Sequence, residues 1–460
     1  MPTKAFVLGR IRSFAQESRA WSLALLAFAE CAFAVWLYYP GLMTRDSQVQ
    51  LQEARRFALT DFHPPITAFV WHFVDRIYPG PLGMLLLIDV LYFSGLAWCI
   101  ARLNWSVKAK LTALLLIGLY PPIFVIIGTI WKDVLMQAAL VHGFALGLLY
   151  LKRRSHWLLL PMALDFALGI AARHNAIGAA LPLLALLIGV CLPARFRRWP
   201  RFALALAAAA LCAFALRTAV GALTAPFTTK VQYWTTVPIF DLAGTSVHAK
   251  EVLFKPESGV MREGTRLSDV ERVYSPYEHL YLYKCKGRHC KPVFDTTTDP
   301  QQMKSLVENW LTVIAHHPGA YLAHRAAVIG LLIGVDNDPR GILGGADLRV
   351  PRAPSDWRAR AALLRRLHDL GPSLPFKVYL YLLLDAALLV VGAYLALARG
   401  APLTLCWASS GWIYMLTVMF STGAPDYRYS VWSILTTLLA GASALAVFFP
   451  SGRAPATEPR

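Results

Sequence analysis

Four short groups of charged residues stand beside long apolar stretches of this sequence. They are Asp46, Lys132-Asp133, Arg173-His174-Asn175 and Asp426-Tyr427-Arg428-Tyr429. A carboxylate that lies opposite several cations can bind an anionic phosphate group and deprotonate a hydroxyl group beside it. If the four groups face the same side of a membrane, they predict a site for acid–base chemistry on a phosphorylated substrate.

Asp46 is the residue that we predict to act as the general base. It lies in the segment Met43-Thr44-Arg45-Asp46-Ser47, a few residues after an apolar stretch. Its carboxylate would accept the proton of a hydroxyl group as that group attacks an electrophilic carbon. A structural role is the alternative, because Ser47 and Gln50 have the spacing of a capping box and an acidic residue favours a helix N-terminus. Capping would not exclude catalysis.

The cationic residues of these groups are predicted to bind the phosphate. We assign this role to four residues: Lys132, Arg173, His174 and Arg428. Arginine holds a phosphate through a forked pair of hydrogen bonds, whereas lysine acts as a point charge. Structural roles stay open for three of them, and for His174 the alternative is a structural histidine at the membrane interface. Lys132 would also anchor a helix at the membrane boundary, and Arg428 would also pair with Asp426.

Four further residues are predicted to support the site or to contact an acceptor: His63, Asp133, Tyr427 and Tyr429. His63 precedes Pro64-Pro65, which favour a helix start, so a structural role beside that start is the alternative. The functional interpretation places His63 near Asp46. Asp133 would also pair with Lys132, and tyrosines at this position often belong to a membrane-interface belt. No residue is assigned to a metal, although a divalent metal stays compatible with the acidic groups.

The composition explains which elements must position these residues. The chain has 460 residues, of which 57% are hydrophobic and only 16% are charged. An average soluble domain has about 45–50% apolar and about 25% charged residues. These values exclude a disordered chain or an ordinary soluble enzyme and predict an all-α polytopic membrane protein. The net charge of +18 comes from basic clusters between apolar stretches, so it predicts membrane topology and no nucleic-acid partner.

Ten apolar stretches are predicted to cross the membrane: 21–39, 81–103, 111–130, 134–151, 157–172, 176–192, 202–220, 376–398, 402–420 and 430–449. Basic turns follow the second, fourth and sixth of them. Because positive charge favours the cytosolic side, these turns predict a cytosolic N-terminus and place the first three charged groups on the outer side. Pro121-Pro122 are predicted to bend the third span.

The predicted organisation has six parts. They are a cytosolic N-terminus (1–20), a seven-helix core (21–220) with its first outer loop at 40–80, an extracytoplasmic segment (221–319), a short apolar helix with a polar loop (320–375), three C-terminal spans (376–449) and a tail (450–460). The stretch 320–335 decides the side of everything after it. Its apolar core is only about ten residues against the roughly 20 that a span needs, so we expect it not to cross.

Two cysteines lie in polar sequence within the predicted extracytoplasmic segment. Cys285 and Cys290 are separated by four residues and would form a small disulfide loop outside the cytosol. A zinc site with His289 is the alternative, but it lacks a second pair of ligands.

Three carboxylates fall within predicted spans: Asp89, Asp165 and Asp385. Carboxylates inside a membrane are costly and indicate function unless they pair with a partner such as Arg217. They support an alternative function, a proton-coupled transporter of lipid or sugar. A transporter of this kind often has inverted repeats with broken helices in both halves, and the sequence has no such symmetry.

The chain resembles the GT-C superfamily of integral-membrane glycosyltransferases, in particular a poorly characterised bacterial branch. The resemblance is carried by Met43-Thr44-Arg45-Asp46-Ser47, Asp61-Phe62-His63-Pro64-Pro65, Trp131-Lys132-Asp133, Arg173-His174-Asn175 and Asp426-Tyr427-Arg428-Tyr429. It covers roughly the first half of the chain and the last turn. The chain departs from some relatives at Ser47, where they have a second acidic residue that bears on metal use.

This resemblance implies a GT-C-like helical bundle with a catalytic Asp46 in the first outer loop. It implies a polyprenyl-phosphate-linked sugar as the donor and a lipid-linked glycan or cell-envelope molecule as the acceptor. It also implies a multi-pass protein of the bacterial inner membrane, surrounded by membrane lipids, with its site facing the periplasm.

Overall fold

The structure, a computed structural model, describes residues 4–193, 197–284, 292–335 and 357–451. The protein is 77% helical, which confirms the predicted all-α class. The helices are α1 Lys4–Tyr38, α2 Arg45–Arg56, α3 Pro65–Ile77, α4 Leu82–Ala101, α5 Val107–Gly118, α6 Pro121–Ile127, α7 Lys132–Arg153, α8 Leu159–Ala172, α9 Ala176–Cys191, α10 Arg198–Thr224, α11 Thr236–Ala249, α12 Leu267–Val273, α13 Pro300–His316, α14 Pro318–Ile333, α15 Trp357–Asp369, α16 Val378–Ala398, α17 Leu403–Ser421 and α18 Val431–Phe448.

Seven helical stretches in this part of the chain are long and apolar enough to cross a membrane. They are Trp21–Tyr38, Leu82–Ala101, Lys132–Arg153, Arg198–Phe227, Val378–Ala398, Leu403–Ser421 and Tyr427–Phe448. Each contains about the 20 residues that a hydrocarbon core requires. The chain is therefore a multi-pass membrane protein.

The other three predicted spans are helical but are not single long helices. The third is split into α5 and α6, which meet at an angle of 59°. Pro121 and Pro122 stand at the first two positions of α6, where their missing N–H groups are tolerated, so they start a new helix. The fifth and sixth are the shorter apolar stretches His156–Ala172 and Ala176–Cys191. The predicted bend is thus confirmed as a break.

The stretch 320–335 forms most of α14, which stays at one end of the bundle. Arg325 in its middle is fully buried and donates a 2.8 Å hydrogen bond to the carbonyl of Thr422, directly after α17. Gly334, which follows α14, lies against Lys377 at the start of α16. The start of α16 and the start of α18 share this end of the bundle, because the rings of Phe376 and Tyr427 are 6.0 Å apart. This placement fits the arrangement in which the stretch does not cross.

The chain between α10 and α14 has an apolar core of its own. Its buried members come from α11 to α14 and the loops between them: Ile239, Phe240, Leu242, Ala243, Phe254, Val260, Val270, Leu282, Val293, Phe294, Leu306, Val313 and Val328. In the structure α10 continues to Thr224, and this core includes Val328 of α14. Cys285 and Cys290 lie outside the described residues.

The first loop is tied to α7 and to this second core by main-chain contacts. Leu42 forms a parallel bridge with Thr129, just before α7. Further along the loop, β1 (Leu59–Thr60) pairs in parallel with β2 (Thr228–Thr229). The Asp61 carboxylate accepts hydrogen bonds from the main-chain amides of Val231 and Gln232, which lie shortly after β2. These contacts bring three segments that are distant in sequence to one end of the bundle.

The carboxylates inside the spans do not pair with Arg217 as the sequence suggested. Asp165 bonds to His142, with 2.6 Å between the carboxylate and the imidazole. Asp89 and Glu30 are buried, and no described residue offers their carboxyl oxygens a hydrogen bond. Arg217 contacts His174 instead.

Candidate functional site

Asp46 is the second residue of α2, and its carboxylate takes no part in capping that helix. Thr44 is the N-cap, and Thr44 and Ser47 form the capping box. The predicted capping box of Ser47 and Gln50 is therefore wrong, because the helix begins one turn earlier than that pattern required. The Gln50 amide instead donates to the main-chain carbonyl of Asp46. The Asp46 carboxylate is left available for contacts with other elements.

The Asp46 carboxylate contacts two predicted site residues. Arg428 Nη1 donates to Asp46 Oδ2 over 2.9 Å, and His63 Nε2 lies 3.8 Å from Asp46 Oδ1. The Lys132 Nζ lies 3.2 Å from His63 Nδ1. Because an ammonium group only donates, Nδ1 of His63 accepts and the ring proton is on Nε2. That N–H points towards Asp46 at a distance too long for a hydrogen bond, and it is buried without a partner among the described residues.

Asp133 is buried and holds both arginines of the site. It forms an ion pair with Arg173, and its Oδ2 lies 3.7 Å from Nε of Arg428. Asp426 forms a second ion pair with the same Nε at 2.8 Å, as the structural alternative for Arg428 predicted. Asp133 thus pairs with arginines from the segments before α9 and α18, rather than with the adjacent Lys132. These pairs fix two long side chains that would otherwise be mobile.

Aromatic rings orient the two guanidinium groups. Arg428 lies over the ring of Trp131 at 4.7 Å, and Arg173 lies over the ring of Tyr429 at 4.1 Å. The faces of aromatic rings attract cations at such distances. The Trp131 indole nitrogen donates to Thr44, the N-cap of α2, so the same ring links the arginine to the helix that carries Asp46.

Two predicted site residues are not part of this arrangement. Nδ1 of His174 contacts Arg217 at 2.6 Å, and burial together with that arginine lowers the pKa of His174 to about 4. Tyr427 donates its hydroxyl hydrogen to the carbonyl of Pro122 and packs against Phe376, so it links α18 to α6. The other predicted site residues lie together in the structure: Asp46, His63, Lys132, Asp133, Arg173, Arg428 and Tyr429. We call these residues and Asp426 the charge cluster.

The formal charges of this cluster balance. With every group counted as ionised, Asp46, Asp133 and Asp426 contribute three negative charges, and Lys132, Arg173 and Arg428 contribute three positive charges. A bound phosphate would therefore compete with a carboxylate for a cation rather than fill an unused cationic site. A phosphate would compete above all for Arg428, because this arginine contacts all three carboxylates.

The surroundings of Asp46 and His63 lower the pKa of both side chains, which leaves Asp46 charged and His63 uncharged. Burial alone would raise the pKa of Asp46, but Arg428, Lys132 and His63 outweigh it and hold that pKa well below its usual range. Burial lowers the pKa of His63, and the positive charges of Lys132 and Arg428 lower it further. At neutral pH, Asp46 is a carboxylate and His63 is a neutral imidazole. A carboxylate with so low a pKa is a weak base while Arg428 is bound to it.

The structure also adds residues that sequence reasoning did not assign to the site. Tyr233 from the segment after β2 contacts His279, with 2.8 Å between its hydroxyl oxygen and Nε2. The ring of Phe62 packs between His63 and Tyr233, at 4.7 Å and 4.1 Å between ring centroids. No local pattern marks Tyr233 or His279, because the pairing of β1 with β2 brings Tyr233 beside Phe62 and the main chain of Gly423 binds His279.

A divalent metal finds no obvious ligand set in the described part of the chain. No group of three or more His, Cys, Asp or Glu side chains is arranged there to hold an ion. The carboxylates of the charge cluster are instead bound to arginines.

No protein-family model matches the chain, and no curated protein matches it. The fold and the site define a multi-pass α-helical membrane protein with a charge cluster at one end of its bundle. Its function has to be inferred from the geometry of that cluster.

Proposed function

We propose that this protein is a GT-C-like glycosyltransferase of the bacterial inner membrane, with its site facing the periplasm. It would transfer a sugar from a polyprenyl-phosphate donor to a lipid-linked glycan or another cell-envelope acceptor. One observation carries the proposal. Arg428 binds Asp46, the candidate base, within a cluster that also contains Arg173 and Lys132. This is the juxtaposition of base and phosphate-binding cations that glycosyl transfer from a lipid phosphate requires.

The position of the cluster suits a lipid-linked donor. Lys132 begins α7, Arg173 directly follows α8, and Arg428 stands just before α18. All three cations are therefore at the ends of apolar helices, where a lipid phosphate lies while its chain remains in the hydrocarbon. Arg428 and Arg173 would hold the phosphate oxygens through forked contacts, and Lys132 would add a point charge.

The transfer step assigns the proton to Asp46. The acceptor oxygen forms a bond to the anomeric carbon as the bond from that carbon to the phosphate oxygen breaks. The electron pair of the broken bond leaves with the polyprenyl phosphate, which the cations stabilise. Asp46 takes the proton of the acceptor hydroxyl. Direct displacement of this kind inverts the configuration at the anomeric carbon.

Donor binding would also make Asp46 a better base. In the structure Arg428 is bound to the Asp46 carboxylate and keeps its pKa low. A donor phosphate that takes up hydrogen bonds of Arg428 would neutralise part of its charge, so the pKa of Asp46 would rise. The base would thus gain strength only when a donor is in place.

A transporter of lipid or sugar coupled to protons is the second candidate. It is favoured by Asp89 and Glu30, which are buried inside apparent spans and have no hydrogen-bond partner in the described part of the chain. Such carboxylates bind protons in many transporters. A transporter would move its substrate across vesicles without forming a new glycosidic bond.

The decisive experiment is a transfer assay on the purified full-length protein in lipid nanodiscs. It uses radiolabelled polyprenyl-phosphate sugars and a mixture of lipid-linked envelope acceptors. We expect labelled acceptor with the wild type and a loss of roughly two to four orders of magnitude in Asp46→Asn, the range for a general base. Asp75→Asn is the matched control, because Asp75 pairs with Arg55 on the first loop, outside the cluster.

Three results would overturn the assignment. Near-normal turnover in a folded Asp46→Asn variant would remove the base. An equal loss in Asp75→Asn would show that the effect comes from the loop structure and not from the chemistry. Proton-dependent uptake of substrate into sealed vesicles, without any transfer product, would favour the transporter.

A further inference from the structure

A row of aromatic and polar side chains leads from Asp46 to the chain between α10 and α13. It begins at His63, continues through Phe62 and Tyr233, and ends at His279. The first two residues belong to the first loop, and the last two to the chain between α10 and α13. His63 contacts Lys132, whereas Tyr233 and His279 contact none of the cations assigned to the phosphate in the described part of the chain. The far end of the row is therefore chemically distinct from the donor-phosphate site.

Hydrogen bonding fixes the direction in which the hydroxyl group of Tyr233 points its proton. Nδ1 of His279 lies 3.0 Å from the carbonyl oxygen of Gly423 and 3.1 Å from the Glu278 carboxylate. Both of these groups only accept hydrogen bonds, so Nδ1 carries a proton, and in the uncharged imidazole Nε2 is the acceptor. In that tautomer Tyr233 donates its proton to Nε2, 2.8 Å away. Its oxygen presents only lone pairs to a ligand.

Tyr233 keeps that proton and lies near the base. Burial raises the pKa of Tyr233, and the negative charges of Glu278 and Asp46 raise it further. The phenol is therefore neutral at physiological pH. The geometric link to the base runs through two side chains: His63 Nε2 lies 3.8 Å from Asp46, and Phe62 packs between His63 and Tyr233.

Phe62 supplies an apolar surface beside these lone pairs. Its side chain is 36% exposed although it packs against both His63 and Tyr233. The attachment of the second core to the first loop does not depend on this ring, because β1 pairs with β2 and Asp61 binds two main-chain amides there. An exposed aromatic face next to a fixed hydrogen-bond acceptor matches a pyranose ring, which has an apolar C–H face and donating hydroxyl groups.

We propose that Phe62, Tyr233 and His279 form the acceptor subsite, and that the acceptor group is a sugar ring rather than a lipid phosphate or an amine. One hydroxyl of this sugar would donate a hydrogen bond to Tyr233 while its C–H face stacks on Phe62. Glu278 and His279 are positioning residues that keep the Tyr233 oxygen as an acceptor. The proposal rests on the proposed function, since it places the acceptor sugar opposite the donor phosphate at Asp46.

The test measures binding and turnover separately. Saturation-transfer NMR on the nanodisc-embedded protein uses the methyl glycosides of glucose, galactose, mannose and N-acetylglucosamine as probes. The transfer assay gives KM for the acceptor and for the donor. The variants are Tyr233→Phe, which removes only the hydroxyl, and Phe62→Leu, which removes the aromatic face. Tyr274→Phe is the matched control, because it deletes a Tyr–His hydrogen bond of the same 2.8 Å length within the second core.

We expect at least one glycoside to bind the wild type and Asp46→Asn equally, since binding does not require the base. Tyr233→Phe should weaken that binding and raise the acceptor KM by roughly three- to tenfold, the effect of one lost hydrogen bond. The donor KM should stay constant, and Tyr274→Phe should behave as the wild type does. Phe62→Leu should weaken binding in the same assay.

Failure of this subsite is distinguishable from failure of the transferase. An unchanged acceptor KM in Tyr233→Phe, or equal effects in Tyr274→Phe, would overturn the subsite while transfer itself persists. Absence of binding by all four glycosides would overturn it too. Glycoside binding that depends on Tyr233, in a protein that forms no product with any donor, would instead support the sugar site and refute the transferase.

Discussion

The guanidinium of Arg428 donates a 2.9 Å hydrogen bond to the carboxylate of Asp46 across 382 positions of sequence. The contact joins the first turn of α2 to the turn before α18, and it exists only when the first and last parts of the chain are assembled at the same end of the bundle. It also determines the chemical state of the site, because it keeps Asp46 ionised and makes Arg428 the cation for which a substrate anion must compete.

Substitution of the two arginines should weaken donor binding in graded steps. A charge-assisted contact to phosphate contributes about 1.5–3 kcal/mol, so Arg173→Ala or Arg428→Ala should raise the donor Kd roughly ten- to 150-fold. Arg→Lys at either position keeps the charge but loses the fork, and the effect should be smaller. Acceptor binding should change little. Titration of the purified variants with a fluorescent polyprenyl phosphate measures the Kd.

Arg102→Ala is the control for these variants. Arg102 is partly buried and donates to the carbonyl of Leu148, away from the cluster. If its removal weakened donor binding as much as the loss of Arg428, the phosphate would not be held by the charge cluster. A melting curve of each variant separates lost binding from lost folding, because Arg173→Ala leaves the buried Asp133 with fewer cations.

The pH dependence of activity should differ between the free enzyme and the donor complex. The pKa of Asp46 is lowered in the free protein, so the base stays ionised, and kcat/KM should not fall until the pH is below the ordinary carboxyl pKa of about 3.9. Once the donor phosphate shares Arg428, the pKa of Asp46 rises and the acid limb of kcat should move to higher pH. Profiles of kcat and kcat/KM against pH provide the measurement.

The same lowered pKa has a consequence for stability with a definite sign. A depressed carboxyl pKa stabilises the folded state above the unfolded pKa, and this stabilisation is lost as the pH falls through the folded pKa. Asp46→Asn should therefore flatten part of the acid-side decline in melting temperature.

In the kinetic profiles, acid limbs of kcat and kcat/KM that coincide would contradict the competition between phosphate and Asp46 for Arg428.

Cysteine labelling should assign the two ends of the bundle to opposite sides of the membrane. Lys304 on α13 and Lys108 at the start of α5 are both exposed. In a variant without the seven native cysteines, Lys304→Cys should react with an impermeant maleimide in sealed right-side-out vesicles. Lys108→Cys should react only after permeabilisation. The opposite pattern would place the charge cluster on the cytosolic side and would refute a periplasmic site.

A buried polar network beneath the site should be essential for stability. Asp241 accepts hydrogen bonds from Trp310 and His324 and pairs with Arg325. The side chains of Asp241, His324 and Arg325 are fully buried. Asp241→Ala would leave Arg325 buried without its counterion, a loss typically of about 3–5 kcal/mol. We expect a large fall in melting temperature.

Glu271→Ala provides the comparison for this variant. Glu271 pairs with Lys250 at the surface of the same unit, where both side chains are well exposed, and surface pairs contribute little. A small shift in Asp241→Ala, similar to that of Glu271→Ala, would show that the network does not hold α14 to the end of α17.

The sequence by itself was sufficient to predict the helical membrane class and most of the helices. Apolar stretches of membrane length are a local property, so hydropathy reports them directly. Pro121-Pro122 predicted the break in the third span for the same reason. The ends were less accurate: the capping pattern at Ser47 was misread because Thr44, one turn earlier, also has the required side chain.

Several site residues were also predictable from their residue type and their position next to helix ends. Asp46, Lys132, Arg173 and Arg428 are such residues, and the structure gathers them into one cluster. His174 and Tyr427 satisfy the same criteria yet are turned towards Arg217 and Pro122. Position at a helix end specifies the depth of a residue in the membrane, but not the direction of its side chain.

Only the tertiary structure determined which charged side chains form ion pairs and which aromatic ring lies near them. Asp133 pairs with Arg173 and Arg428 instead of its neighbour Lys132, and Tyr233 comes to lie beside Phe62 through the pairing of β1 with β2. These contacts depend on helix packing and on strand register between segments that are far apart in the chain. Local sequence encodes helices and their charges, whereas the distances between those charges are set by the packing of the whole bundle.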